Sequence, residues 1–286
     1  MFPSVFCVFN MKNEFMLPEP SKRFYREIFE GKSPQSITTT VADGIQAVIG
    51  NVERILNDLD CLLAAGRIAS ASFFLATAEE EFAKTFILID ACRLNPMKHE
   101  QALRGLSRAF YSHIQKHAYN TVRRSPFDDS MAKAWNFWCM EVKRWWPESS
   151  DTEDGIPAMP HDTYFNREMP LYVDWEYDSK KWSRPDNNTN AWRFRNDNLP
   201  SDLDILRAEF TELKLAAGSN LLSPDALMSI NEVWSGSYVS DKTPTTEVKR
   251  LENRLIECLV AEQSASEKDL VRSPLFKWPL YHFTTM

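Results

Sequence analysis

The stretch from Arg104 to Tyr119, RGLSRAFYSHIQKHAY, sets Arg104 and Arg108 one helical turn apart, Arg108 five residues before His113, and His113 three residues before Lys116. These residue types suit phosphate chemistry. A guanidinium fork grips phosphate oxygens, and an imidazole exchanges a proton near neutral pH. RNA cleavage without a metal needs both: a base takes the ribose 2′-hydroxyl proton, and a cation stabilises the charge growing on phosphorus. His113 is the natural base, and Arg108 or Lys116 would hold the phosphate. Residues five apart on a regular helix lie about 140° from each other. Arg108 and His113 therefore converge only if the helix breaks between them, or if two protomers each supply part of the site.

A second cluster lies in ATAEEEFAK, where Glu79, Glu80, Glu81 and Lys84 interrupt a run that carries no other charge from Ile68 to Ile89. On a helix, Lys84 reaches Glu80 at i+4 and Glu81 at i+3. One cation does not offset three anions. Removing an unpaired carboxylate from water costs several kcal/mol, so an enclosed cluster needs cations from other helices or a raised pKa. The other reading is a solvated face, with ion pairs of about 0.3 to 0.5 kcal/mol each. His113 shares the apolar side of its segment with Leu106 and Phe110, as either a satisfied core residue or a site residue with a tuned pKa. His113 and His117 also have the i, i+4 spacing of a zinc pair. However, Ile114 stands where H-E-x-x-H has its glutamate, and no third ligand is evident. No metal and no cofactor is expected, and the eight glycines form no phosphate loop.

Helices must position these groups. Ile45, Val48, Ile49, Val52, Ile55, Leu59, Leu62 and Leu63 make one apolar face over 44–63, which Gly66 ends. The segment 67–92 is apolar on all sides and rich in Ala and Ser, as befits a central helix approached closely by its neighbours. Asn95-Pro96 stops it. A third helix is predicted over about 98–119 and a fourth, loaded with Trp135, Trp138, Trp145 and Trp146, over about 128–146. From Pro147 to Pro200 the helical period gives way to an irregular loop with a short strand near 171–175. Helices resume with Leu203, Leu206, Phe210 and Leu213, then Ser223-Pro224 as a helix start, then Val248, Leu251, Leu255 and Leu259. The expected class is all-α: a helical bundle with a long irregular loop insertion and additional C-terminal helices. Its parts would be an N-terminal arm (1–36), a bundle core (37–146), the loop segment (147–200) and C-terminal helices with a tail (201–286) packing on the same domain. The aromatic tail from Ser273 has the character of a docking segment, for this subunit or another.

Taken together, the Gly66, Arg67, Ala69, Ala71 run ending in Glu80, Glu81 and Lys84, the His113/Lys116 pair, and REMPLYVDWEYDSKKWSRP at 167–185 resemble the AbiV family of abortive infection proteins. That family is similar to the HEPN class of small helical domains, many of them metal-independent RNases with an R-x(4 to 6)-H motif. Arg108-AFYS-His113 fits the motif. The resemblance implies a homodimer with a composite site, catalytic Arg108 and His113, and supporting Glu80, Glu81, Lys84, Lys116, Tyr172 and Asp174. Tyr172-Val173-Asp174 would form either a loop closing over the polar cluster or a plug packed against the bundle. The alternative function is a non-catalytic interaction module that binds a phage or host protein.

Bulk composition fits both functions. A net charge of −7 over 286 residues argues against general coating of nucleic acid, yet Gln101 to Trp146 holds eight basic against three acidic residues. The next stretch, Pro147 to Asp162, holds five acidic residues and no basic one. Five widely spaced cysteines without a C-x-x-C suggest a reducing, cytoplasmic setting. No membrane span is expected, because the glutamates interrupt the one long apolar stretch.

Overall fold

The computed structural model describes residues 19–124, 131–144, 174–176, 181–183, 199–240, 242–260 and 279–285. Its organising unit is a long antiparallel pair of helices, α2 (Pro34–Ala64) and α3 (Ile68–Cys92). Ser33 starts α2: its hydroxyl accepts the Ser36 N–H at 3.2 Å, and Pro34 occupies the first turn, where no N–H is needed. Gly66, at φ +67°, ends it. The Arg67 N–H bonds back to the Leu62 carbonyl at 2.8 Å and the Gly66 N–H to that of Leu63 at 3.0 Å, a left-handed turn that favours glycine. The apolar stripe of α2 from Ile45 to Leu59 is buried against α3, and Leu62 and Leu63 are half-buried against the same core. Small residues such as Ala71, Ala78 and Ala83 lie at the buried centre of α3.

A short helix α1 (Glu19–Ile28) falls inside the expected N-terminal arm and packs on α4 (Glu100–Tyr111), with the Phe24 and Phe110 rings stacked at 4.6 Å. The third predicted helix is not continuous. It divides at Ser112 into α4 and α5 (His113–Arg124). Ser112 has an extended ψ of 118°, and its N–H closes α4 on the carbonyls of Arg108 and Ala109 at 3.0 and 3.1 Å. Its hydroxyl accepts the Gln115 N–H at 3.3 Å and its carbonyl the Lys116 N–H at 3.0 Å, which begins α5. A serine whose side chain competes for backbone donors is favoured at such a start, and it disfavours a helix interior. The break has a direct consequence for His113. It leaves the apolar side expected for it and becomes half-exposed as the first residue of α5.

Helix α6 (Met131–Arg144) packs on α5, its Trp138 edge-on to Tyr119. Strands β1 (Asp174–Glu176) and β2 (Lys181–Ser183) form an antiparallel hairpin with Trp175 opposite Trp182. Of the expected strand over 171–175, Asp174 and Trp175 lie in β1. Tyr172, most of the irregular segment, and the loop and plug readings lie outside the described residues. Helices α7 (Leu199–Gly218), α8 (Pro224–Trp234) and α9 (Thr245–Val260) follow. Ser223 caps α8 as expected, its hydroxyl accepting the Ala226 N–H at 3.3 Å. Asn231 on α8 donates to the Cys92 and Leu94 carbonyls at 2.8 and 2.9 Å, satisfying the end of α3. The class is an all-α helical bundle carrying one small hairpin. Among the described residues no helix is long and apolar enough to cross a membrane.

The last turn, 3₁₀ helix Tyr281–Thr285, docks on α4 of its own chain. Leu280, Tyr281, Phe283 and Thr284 are buried, with Trp135 and Trp138 beside Phe283. The contact on α4 depends on Gly105: a Cβ there would lie 2.6 to 2.9 Å from the Thr284 hydroxyl and backbone. Gly105→Ala therefore separates the C-terminal turn from α4 even though alanine favours a helix. The expected loss is about 1 to 3 kcal/mol in urea unfolding, with faster proteolysis of the tail. A variant as stable as the parent contradicts this packing.

Candidate functional site

Three consecutive glutamates on α3 point about 100° apart, and each meets a different set of partners. Glu79 Oε1 accepts from Arg124 at 2.7 Å, and its carbonyl accepts from the Asn120 side chain at 2.7 Å. Arg124 also grips Glu209 on α7 with both ends of its fork. Burial alone would lower the Arg124 pKa, but Glu209 and Glu79 outweigh it and hold the guanidinium above its ordinary value. Glu81 accepts from Asn51 of α2 at 2.9 Å and from Lys84 at 2.5 Å. Lys84 takes Glu81 rather than Glu80, and its ammonium lies 5.0 Å over the Phe110 ring.

Glu80 is the enclosed member. Its side chain is 5% exposed and faces α5. Oε2 accepts from His113 Nδ1 at 2.5 Å and from Lys116 Nζ at 3.0 Å, and His117 Nε2 faces Oε1 at 3.5 Å, an electrostatic contact. Burial is the largest single influence on this carboxyl and opposes its charge. The imidazoles of His113 and His117 and the ammonium of Lys116 outweigh it and hold Glu80 well below the usual carboxylate range. Lys116 is itself pushed down by burial, and Glu80 recovers only part of that.

The ionised Glu80 accepts hydrogen bonds and donates none. It therefore assigns the proton of a neutral His113 to Nδ1 and leaves the Nε2 lone pair for chemistry. The His113 side chain is 47% exposed, so a substrate proton can reach it while its carboxylate partner stays dry. Arg108 lies across the Ser112 break, half-buried in the last turn of α4, its pKa lowered by burial. Of the residues singled out from sequence, Glu80, His113 and Lys116 thus meet directly, and Glu81 and Lys84 pair next to them. Asp174 lies in β1. The His113/His117 pair considered for zinc directs a ring nitrogen from each residue at Glu80. Among the described residues no group of three His, Cys, Asp or Glu side chains is arranged to hold a metal ion.

A second charged centre, ten residues along α3, was not anticipated. Asp90 is fully buried and accepts from Tyr119 at 3.2 Å, Arg123 at 3.1 Å and the Leu280 N–H at 2.7 Å, with Arg93 also at 3.1 Å. Arg93 lies 5.0 Å from the Trp234 ring, and burial lowers its pKa to about 10 although Asp90 works the other way. The signal was present: Asp90 ends the apolar run FILID, where a charge needs partners as much as at Glu80.

Among known proteins, the family model described as AbiV matches residues 40–193. No curated protein and no solved structure matches the chain.

The Glu80 centre makes a pH prediction. A carboxyl depressed in the folded state stabilises the fold above the pKa of a free glutamate, about 4.3. That contribution falls as pH drops through this value toward the lower folded pKa. Glu80→Gln leaves three basic groups without their anion, and the expected cost near neutral pH is about 3 kcal/mol. The variant should lose part of the acid dependence of stability below about pH 4.3. Urea unfolding across pH measures both, and parallel curves for the two proteins contradict the assignment.

Proposed function

The chain belongs to the AbiV family, and from that premise we propose that it is an antiphage abortive-infection effector that cleaves RNA at an Arg108/His113 site. The observation that carries this reading is the Glu80–His113 pair. A dry, ionised carboxylate holds Nδ1–H of an imidazole whose side chain is half-exposed, with Nε2 on the ring edge away from that contact. In the proposed reaction His113 Nε2 takes the 2′-hydroxyl proton, and the 2′-oxygen forms a bond to phosphorus as the bond to the 5′-oxygen breaks. The products are a 2′,3′-cyclic phosphate and a 5′-hydroxyl, the latter protonated by an acid or by water. Arg108 stabilises the phosphorane charge. Lys116 and His117 keep Glu80 ionised, and thereby keep the His113 tautomer. The HEPN likeness adds a second protomer that completes the site, in a cytoplasmic homodimer.

A second reading has its own support. Lys116 and His117 are buried partners of Glu80, and such networks also serve to fix a unique packing without any chemistry. The protein would then be an interaction module for a phage or host protein.

Incubation of purified protein with RNA in EDTA separates the two. Cleavage leaving cyclic phosphate ends, reduced about 10²- to 10⁴-fold by His113→Ala and strongly by Arg108→Ala, is the expected result. Phage resistance that survives both substitutions supports the interaction module instead.

A further inference from the structure

One face of α4 sets Gln101, Arg104, Arg108 and Tyr111 three, four and three residues apart and therefore in line, with Gln101 and Tyr111 exposed and the two arginines half-buried between them. The stripe ends one residue short of the Ser112 break, beyond which His113 stands. Resting on the RNA-cleavage reading, we propose that this stripe is a track for single-stranded RNA, with Arg104 and Arg108 on phosphates and Tyr111 as the platform for an unstacked base.

Tyr111 is a large side chain left 45% exposed. Its ring is nevertheless held in place, nearly perpendicular to Phe24 at 5.9 Å and tilted against Phe110 at 5.4 Å. An aromatic ring that is both fixed and exposed loses little entropy when a base stacks on it. Arg104 is held in the same way. Its guanidinium bonds Glu100 at 2.8 Å and lies 4.2 Å over the Tyr25 ring, so the fork is oriented before a phosphate arrives. On the α1 side the exposed Arg23–Glu27 pair flanks Tyr111. The partner class follows from these groups. Guanidiniums in line with an aromatic face match a strand with a phosphate per nucleotide and bases able to splay out, and the stacked bases of a duplex do not offer that.

The test uses full-length protein carrying His113→Ala, so that RNA stays intact, and measures anisotropy of a labelled single-stranded RNA over a range of salt. Adding Tyr111→Ala should weaken binding about tenfold without changing the salt slope, and Tyr111→Phe should restore it. Adding Arg104→Ala should lower the slope of log K against log salt by about 0.7. Duplex RNA of the same length should bind more weakly than the single strand. In the otherwise wild-type enzyme, Tyr111→Ala should raise KM and leave kcat nearly unchanged. Single-strand binding that ignores Tyr111→Ala, or a preference for duplex, overturns the track. If the wild-type protein still cleaves RNA in that case, the catalytic reading survives. A wild-type protein that neither binds nor cleaves RNA overturns both.

Discussion

Helix α3 must carry charge through the middle of an apolar bundle, and the rest of the architecture answers that requirement. Two of its carboxylates, on Glu80 and Asp90, are enclosed, and α5 supplies side chains to both: His113, Lys116 and His117 to the first, Tyr119 and Arg123 to the second. Glu79, at the edge, takes Arg124 from the same helix. Such pairs add little net stability over apolar packing, since desolvation consumes most of their attraction. Their effect is selective. Moving α5 along α3 would strand a buried carboxylate and its cations together, at several kcal/mol for each group, so other registers are strongly disfavoured.

The break at Ser112 is the local condition for that match. In an uninterrupted helix the Arg108 side and the His113 side point about 140° apart. With the break, α4 keeps Leu103 and Leu106 in the core and Arg104 and Arg108 half-buried beside it, while α5 starts anew with its basic residues toward α3. The C-terminal turn reinforces both halves. Its Leu280 N–H bonds the same Asp90 oxygen that Tyr119 of α5 reaches, and Thr284 presses on α4 at Gly105. Residues far apart in the chain thus fix the angle between the two helices that flank the candidate site.

Much of this was legible in the sequence wherever the signal is periodic. The apolar stripe of α2, the stop at Gly66 and the all-round apolarity of α3 each follow from side-chain types at fixed spacing. Enclosure of a glutamate followed as well, because an apolar helix has no wet side on which to place it. What escaped were features set by partners. Ser112 carries no boundary signal by spacing, and it becomes a boundary where its hydroxyl accepts the Gln115 N–H and caps α5. Asp90 sits one residue past the run from Ile68 to Ile89, and apart from Arg93, three residues on, its partners come from α5 and from the last turn, which no local pattern links to it. Lys84 was poised between two glutamates, and the choice of Glu81 followed once α5 had supplied Glu80 with its own cations.

The members of the Glu80 cluster differ in burial. Lys116 and His117 are buried, and their contribution to Glu80 would be the same in a protein with no activity. His113 differs, because half of it lies in water. A group that served packing alone would gain from being covered, since water competes for its hydrogen bond and weakens the charge interaction. Leaving the imidazole open while drying its carboxylate forgoes some of that stabilisation and retains proton exchange at Nε2. In the proposed reaction a general base needs such a half-open imidazole, and the helix start at residue 113, in place of a helix interior, is what leaves it half-exposed.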